Sequence, residues 1–223
     1  WFIEASRISA EQCQQLDAGI ALAEPATMLG CLRSKLAKAG KVAINEARTP
    51  WHLQGLLEEV AGVVDTKMIE IAKACKNSVE LDGARNAQHI DGIAMIKFLS
   101  WIDSAIKEQQ ITELDAARKV TEFRGQSEAM KDISFTPISA SGPNAALAHY
   151  SVTEESNRSL NESNMYLLDS GGQYPGGTTD ITRTMSLGPA TNFQKRCYTL
   201  VLKGHIALAT ARFPEGTTGA QVD

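Results

Sequence analysis

Residues 167–184, LLDSGGQYPGGTTDITRT, set Asp169 and Asp180 eleven residues apart at the two ends of a glycine- and threonine-rich bend. If MYLLD forms one strand and TTDITRT returns beside it, with the Gly171-Gly172 and Gly176-Gly177 pairs supplying the bends, the two carboxylates face one another. Carboxylates so placed repel, and one is expected to keep its proton at a raised pKa unless a cation lies between them. Hard oxygen donors suit Mg, Mn or Ca, and also Zn where nitrogen ligands join, so the pair alone names no metal. The competing reading ends a strand at Asp169 and uses Asp180 to satisfy nearby backbone N–H groups. Spacing alone leaves both open.

The elements that must position these residues divide the chain. KVAIN (41–45) alternates as a short strand, and Thr49 followed by Pro50 supplies an N-cap and first-turn proline for a helix over about 50–61. Val63-Val64 then leads into TKMIEIAKACKN (66–77), read as helical. From Leu81, apolar residues at Ala84, Ala87, Ile90, Ile93, Ile96, Leu99 and Ile102, widened by Phe98 and Ile106, predict one long amphipathic helix. Gly83 and Gly92 inside it each cost about 1 kcal/mol relative to Ala and require close packing in return. Thr112 caps a further helix that Gly125 stops. After residue 133 strands and turns dominate, and a last amphipathic helix begins at a Thr191/Gln194 capping box and ends before Pro214.

Composition excludes several functions. Lys and Arg total 22 against 26 Asp and Glu, a net charge of −4, which removes the long-range attraction to phosphate that a nucleic-acid binder needs. No apolar run approaches the roughly 20 residues that cross a bilayer, so no membrane partner is expected. Cys13, Cys31, Cys75 and Cys197 form no CxxC pair, and reduced, mostly buried thiols in a cytoplasmic protein fit best. The chain opens on Trp1, and a Thr218/Gln221 capping box near its end calls for a helix to follow, so a piece of a longer protein is expected.

The words LLDSGGQY and GTTDITRT resemble the segment that carries the first two metal ligands of the pita-bread (creatinase/aminopeptidase) metallopeptidases, the aminopeptidase P or Xaa-Pro aminopeptidase branch above all. KNSVELDGARNAQHIDGIAMIKFLSWID is similar to that branch's entry helix, SGPNAALAHYS to its substrate loop, and FPEGTTG to the turn before its next helix. The resemblance implies an α+β fold: an incomplete pita-bread catalytic domain over residues 71–223, preceded over residues 1–70 by the tail of a creatinase N-terminal-like α/β domain. It further implies a proline-directed aminopeptidase acting on peptides with an Xaa-Pro N-terminus, with two divalent ions, commonly Mn and alternatively Zn or Co. Of the ligands, two Asp, one His and two Glu, only Asp169 and Asp180 match here. The His and both Glu are expected beyond Asp223, so the chain alone is expected to be inactive, unless a second chain completes the site.

By the same resemblance His149, in LAHYS, contacts substrate rather than metal; without it, a hydrogen-bonded His at a strand end is the simpler reading. His205, His52 and His89 fall on predicted helices and match no ligand, Trp101 fits a helical core face, and SGPNAA lacks the strand-to-helix context of a phosphate loop. Arg183 is placed on the strand face opposite Asp180, Thr182 and Thr184, as a structural or ion-paired residue. Rival readings are a prolidase or creatinase-like hydrolase of the same fold, and a pita-bread module that has lost catalysis and binds proteins. A homodimer is a further expectation.

Overall fold

The computed structural model describes residues 1–222 and divides into two compact units, the first running from Trp1 to Lys76 and the second starting at Asn77. Asp223, the limit of the second expected segment, lies outside the described residues.

In the first unit, α1 (Ala10–Gln14) and α2 (Met28–Leu36) precede β1 (Lys41–Ile44), α3 (Trp51–Val60) and β2 (Gly62–Asp65). The two strands pair in parallel, Val42 with Val63 and Ile44 with Asp65, as a strand–helix–strand crossover requires. Ile44, Leu56 and Leu57 are buried together, with Leu32, Leu36 and Leu53 packed around them. The N-cap of α3 is Pro50, not Thr49: the Thr49 hydroxyl donates to the carbonyl of Asn45 (2.8 Å), and the first turn carries no side-chain cap. Helix α4 (Met68–Ala74) is shorter than the expected 66–77, because Asn77 caps the helix that follows. None of the four cysteines is buried, contrary to expectation: Cys75 and Cys197 are exposed, and Cys13 and Cys31 are half-buried.

The second unit opens with α5 (Ser78–Glu108). Asn77 accepts from the Glu80 N–H (2.9 Å) while Glu80 accepts from that of Asn77 (2.8 Å), a capping box that starts the helix earlier than Leu81. Its buried face is Ala87, Asp91, Ala94, Met95, Phe98, Ile102 and Ala105, whereas Ile93 and Ile96 of the expected stripe are exposed. A strict three-residue step falls about 60° short of a full turn each time, so such a stripe winds away from any single face. Gly83 does meet close packing, since a Cβ there would stand 2.4 Å from the carbonyl oxygen of Gly176; Gly92 meets nothing within 4 Å.

Thr112 and Asp115 form the capping box of α6 (Glu113–Gly125). The strands follow: β3 (Asp132–Ile133), β4 (Ile138–Ser141), β5 (Met165–Ser170), β6 (Gly172–Tyr174), β7 (Gly177–Thr178) and β8 (Ile181–Ser186). They make two antiparallel sheets, ordered β4-β5-β8 and β3-β6-β7. Along β5, Tyr166, Leu168 and Ser170 are fully buried; Tyr166 and Leu168 share a core with Phe98 and Ile102 of α5 and with Ala116 and Val120 of α6. The period of two therefore turns Met165, Leu167 and Asp169 to the face away from those helices. Helix α7 (Asn192–Thr210) starts at the expected Thr191/Gln194 box, and none of its residues is buried. The chain closes in α8 (Gly219–Val222), where the Thr218 N–H donates to Gln221 (2.8 Å).

Candidate metal centre

Strand β5 pairs with β8 so that Asp169 stands opposite Thr182. Asp180 precedes Thr182 by two residues, just outside β8, and so shares its side of the sheet with Asp169 as a diagonal neighbour. The eight residues between Gly171 and Thr178 are not a simple hairpin bend. They leave the sheet, form β6 and β7, and join β3 in the second sheet. None of the four glycines there has a positive φ. Gly171 and Gly176 serve close approach instead: a Cβ on Gly171 would lie 1.9 Å from the carbonyl oxygen of Thr179, and one on Gly176 would lie 2.7 Å from the Cα of Gly83.

Thr179 closes the excursion. Its N–H donates to the carbonyl of Gly172 (3.0 Å), its hydroxyl oxygen accepts from the Gly172 N–H (2.9 Å), and its carbonyl accepts from the Ser134 hydroxyl (2.9 Å). Beneath it lies a buried polar group that the sequence reading missed. Arg124 donates to both oxygens of Asp91 (2.5 and 3.1 Å), and the Tyr174 phenol donates to the same carboxylate (2.8 Å). Burial alone would raise the Asp91 carboxyl, but the hydrogen bonds and charge of Arg124 with the bond from Tyr174 outweigh it and hold the group below its usual range. A signal existed: Asp91 sits four residues after Ala87 and three before Ala94, within the buried face, and Arg124 follows Val120 by four.

Between the two candidate ligands the electrostatics are unfavourable. The Asp180 carboxyl is pushed above its usual range, by desolvation first and then by the neighbouring Asp169 carboxylate. Oδ1 of Asp169 is buried without a hydrogen-bond partner. Among the described residues, no backbone N–H donates to either carboxylate. A buried acceptor left unpaired costs on the order of 1–3 kcal/mol, more when charged, and a cation between the two removes both that cost and the repulsion. The pair thus fits a divalent cation as part of a site. Among the described residues, no group of three or more His, Cys, Asp or Glu side chains is gathered where it could hold a metal ion.

His149 lies in an exposed turn after the 3₁₀ helix Gly142–Ala146, not at a strand end. Its side chain makes no hydrogen bond or ion pair with the described residues, Asp169 and Asp180 included. SGPNAA does run from strand β4 into that 3₁₀ helix, contrary to the context predicted for it. Arg183 pairs opposite Leu168, on the strand face predicted for it; its guanidinium donates to the carbonyl of Thr182 (2.7 Å) and makes no ion pair among the described residues. His52, His89 and His205 are exposed on α3, α5 and α7, and Trp101 packs half-buried against Phe98 at 5.7 Å between ring centroids.

The sequence pattern of metallopeptidase family M24 matches residues 82–223, more than half of the chain. Over its whole length the chain is 39% identical to Xaa-Pro aminopeptidase 2 of Sus scrofa and 36% identical to a probable Xaa-Pro aminopeptidase P of Arthroderma otae, covering 34% and 37% of those proteins. In three dimensions it is similar to X-prolyl aminopeptidase from Caenorhabditis elegans, described as a cytosolic enzyme with a di-nuclear active site. That likeness has a TM-score of 0.87 at 31% identity, over 100% of this chain and 37% of that one. The chain therefore spans little more than a third of the length of these relatives.

Proposed function

The chain belongs to metallopeptidase family M24, and from that premise we propose that it is part of an Xaa-Pro aminopeptidase, which removes the N-terminal residue from peptides whose second residue is proline. Its helices and strands form part of a pita-bread fold. The observation that carries the reading is the pairing of Asp169 and Asp180 on one side of a sheet, with Oδ1 of Asp169 buried and unpartnered.

Asp169 and Asp180 would hold two divalent ions, manganese by preference and zinc or cobalt as alternatives, with the remaining His and two Glu ligands supplied by sequence beyond Asp223. When bound, such a pair of ions supplies an acidified water and polarises the scissile carbonyl. The protein's own part is to present both carboxylates deprotonated and on one side of the sheet, and Thr179 with the buried Asp91–Arg124 pair holds that geometry. His149 contacts the substrate. A dedicated site suits this peptide bond, because an Xaa-Pro bond has no N–H and a fixed φ, which defeats enzymes that hydrogen-bond an extended backbone.

Residues 1–70 are read as the tail of a creatinase N-terminal-like domain and residues 71–223 as the beginning of the catalytic one. A cytoplasmic location follows the likeness to the cytosolic Caenorhabditis elegans enzyme; no described helix is long and apolar enough to cross a membrane. A homodimer and the inactivity of the 223-residue chain by itself complete the proposal, since metal binding and folding are coupled and two donors hold ions weakly.

The test is peptide cleavage by the full-length, metal-loaded protein. Release of the first residue from an Xaa-Pro tripeptide, with little turnover of an Xaa-Pro dipeptide, supports the reading. Turnover of the dipeptide alone replaces it with a prolidase, and turnover of neither leaves a binding module.

A further inference from the structure

Several donors of the segment that carries His149 converge on one buried side chain of another element. Glu113, the first residue of α6, is fully buried. Its Oε1 accepts from the Ser141 N–H (2.5 Å) and the Asn144 amide (3.1 Å); its Oε2 accepts from the Tyr150 phenol (2.9 Å) and the Arg158 N–H (3.2 Å). These four donors run from the last residue of β4 along its connection to β5, and Tyr150 is the residue next to His149. The backbone of Glu113 joins in: its N–H donates to the carbonyl of Arg158 (3.0 Å), and its carbonyl accepts from the Ser139 hydroxyl (2.7 Å), which also meets the Tyr166 phenol at 2.7 Å.

A carboxylate offers only acceptor sites, and here it faces only donors, so the arrangement is satisfied by Glu and by no neutral isostere. His149 itself has no hydrogen bond to the described residues; the turn around it is closed by the Tyr150 N–H donating to the Leu147 carbonyl (3.1 Å), and Asn144 and Tyr150 on either side of it are held by Glu113. We propose that Glu113 is the positioning residue of the His149 loop: it fixes where His149 meets the substrate, without touching substrate or metal. The inference rests on the proposed substrate contact of His149.

The experiment is a double-mutant cycle in the full-length, metal-loaded enzyme with an Xaa-Pro peptide, using Glu113→Gln, Tyr150→Phe and His149→Ala. Glu113→Gln places an amide NH₂ against donors and is expected to lower kcat/KM about tenfold, chiefly through KM, with metal content unchanged. Tyr150→Phe removes one donor while keeping the ring, so it is expected to fold and to lower kcat/KM about threefold in the same way. In the His149→Ala background both effects are expected to shrink to less than about twofold, because the group they position is gone. Should Glu113→Gln fail to fold, Tyr150→Phe carries the cycle alone. If His149→Ala impairs the enzyme but the other losses persist undiminished beside it, or if Tyr150→Phe has no effect, the positioning role is overturned and the His149 reading stands. If His149→Ala alone changes nothing, the His149 reading falls and takes this inference with it.

Discussion

Gly171 packs against Thr179 so closely that no side chain fits between them: a Cβ would stand 1.9 Å from the Thr179 carbonyl oxygen and 2.4 Å from the Ser134 hydroxyl. That contact closes the β6–β7 excursion at its base, and the two carboxylates lie immediately outside it, Asp169 before and Asp180 after. Gly171→Ala is therefore expected to lower unfolding stability by about 1–3 kcal/mol or more, because the obstacle is backbone that cannot rotate away. Urea unfolding measures this; an unchanged midpoint contradicts it.

The two glycines of α5 behave oppositely. Gly83→Ala drives a methyl into the Gly176 backbone at 2.4 Å and is expected to destabilise by about 1–3 kcal/mol. Gly92→Ala meets open space and is expected to stabilise by about 1 kcal/mol through helix propensity. Paired denaturation curves that shift in the same direction would contradict the packing described.

Removing the buried charge of Asp91 leaves Arg124 unpaired. Asp91→Asn is expected to cost about 3–5 kcal/mol at neutral pH. Because Arg124 and Tyr174 hold the folded-state pKa of Asp91 below the ordinary value of 3.8, the pair's contribution is present above that value and is lost as pH falls through the folded pKa. The gap in Tm between wild type and variant should thus be full at pH 7 and close only at strongly acidic pH. A gap that does not change with pH would assign the loss to packing instead.

The pairing of Asp169 with Asp180 was readable because strand alternation and antiparallel return are local rules. The path between them was not. The glycine pairs have the composition of turns, but what they permit is contact with Gly83 and Ser134, residues far away in sequence whose approach no local pattern announces. Glu113 likewise reads as an ordinary acid in the first turn of a helix; its partners Ser141 and Arg158 lie 28 and 45 residues away. Helix α5 is legible in existence and in part of its face, at Ala87, Phe98 and Ile102, but apolar residues at steps of three drift off the 3.6-residue face that packs, which leaves Ile93 and Ile96 exposed. Asp91 interrupts the apolar pattern as a polar residue, yet its position lies on the face that is buried. Among the described residues, no group of three or more His, Cys, Asp or Glu side chains gathers where it could hold a metal ion, so there was no fuller ligand cluster there to read.

The most direct test of the account is the metal content of the full-length protein after loading with Mn(II) and extensive dialysis, alongside Asp169→Asn and Asp180→Asn. About two ions per chain are expected in the wild type and a loss of at least one in each variant, with far-UV circular dichroism unchanged. Two ions retained in either variant would show that the carboxylate pair does not hold the metal, and would contradict the central claim.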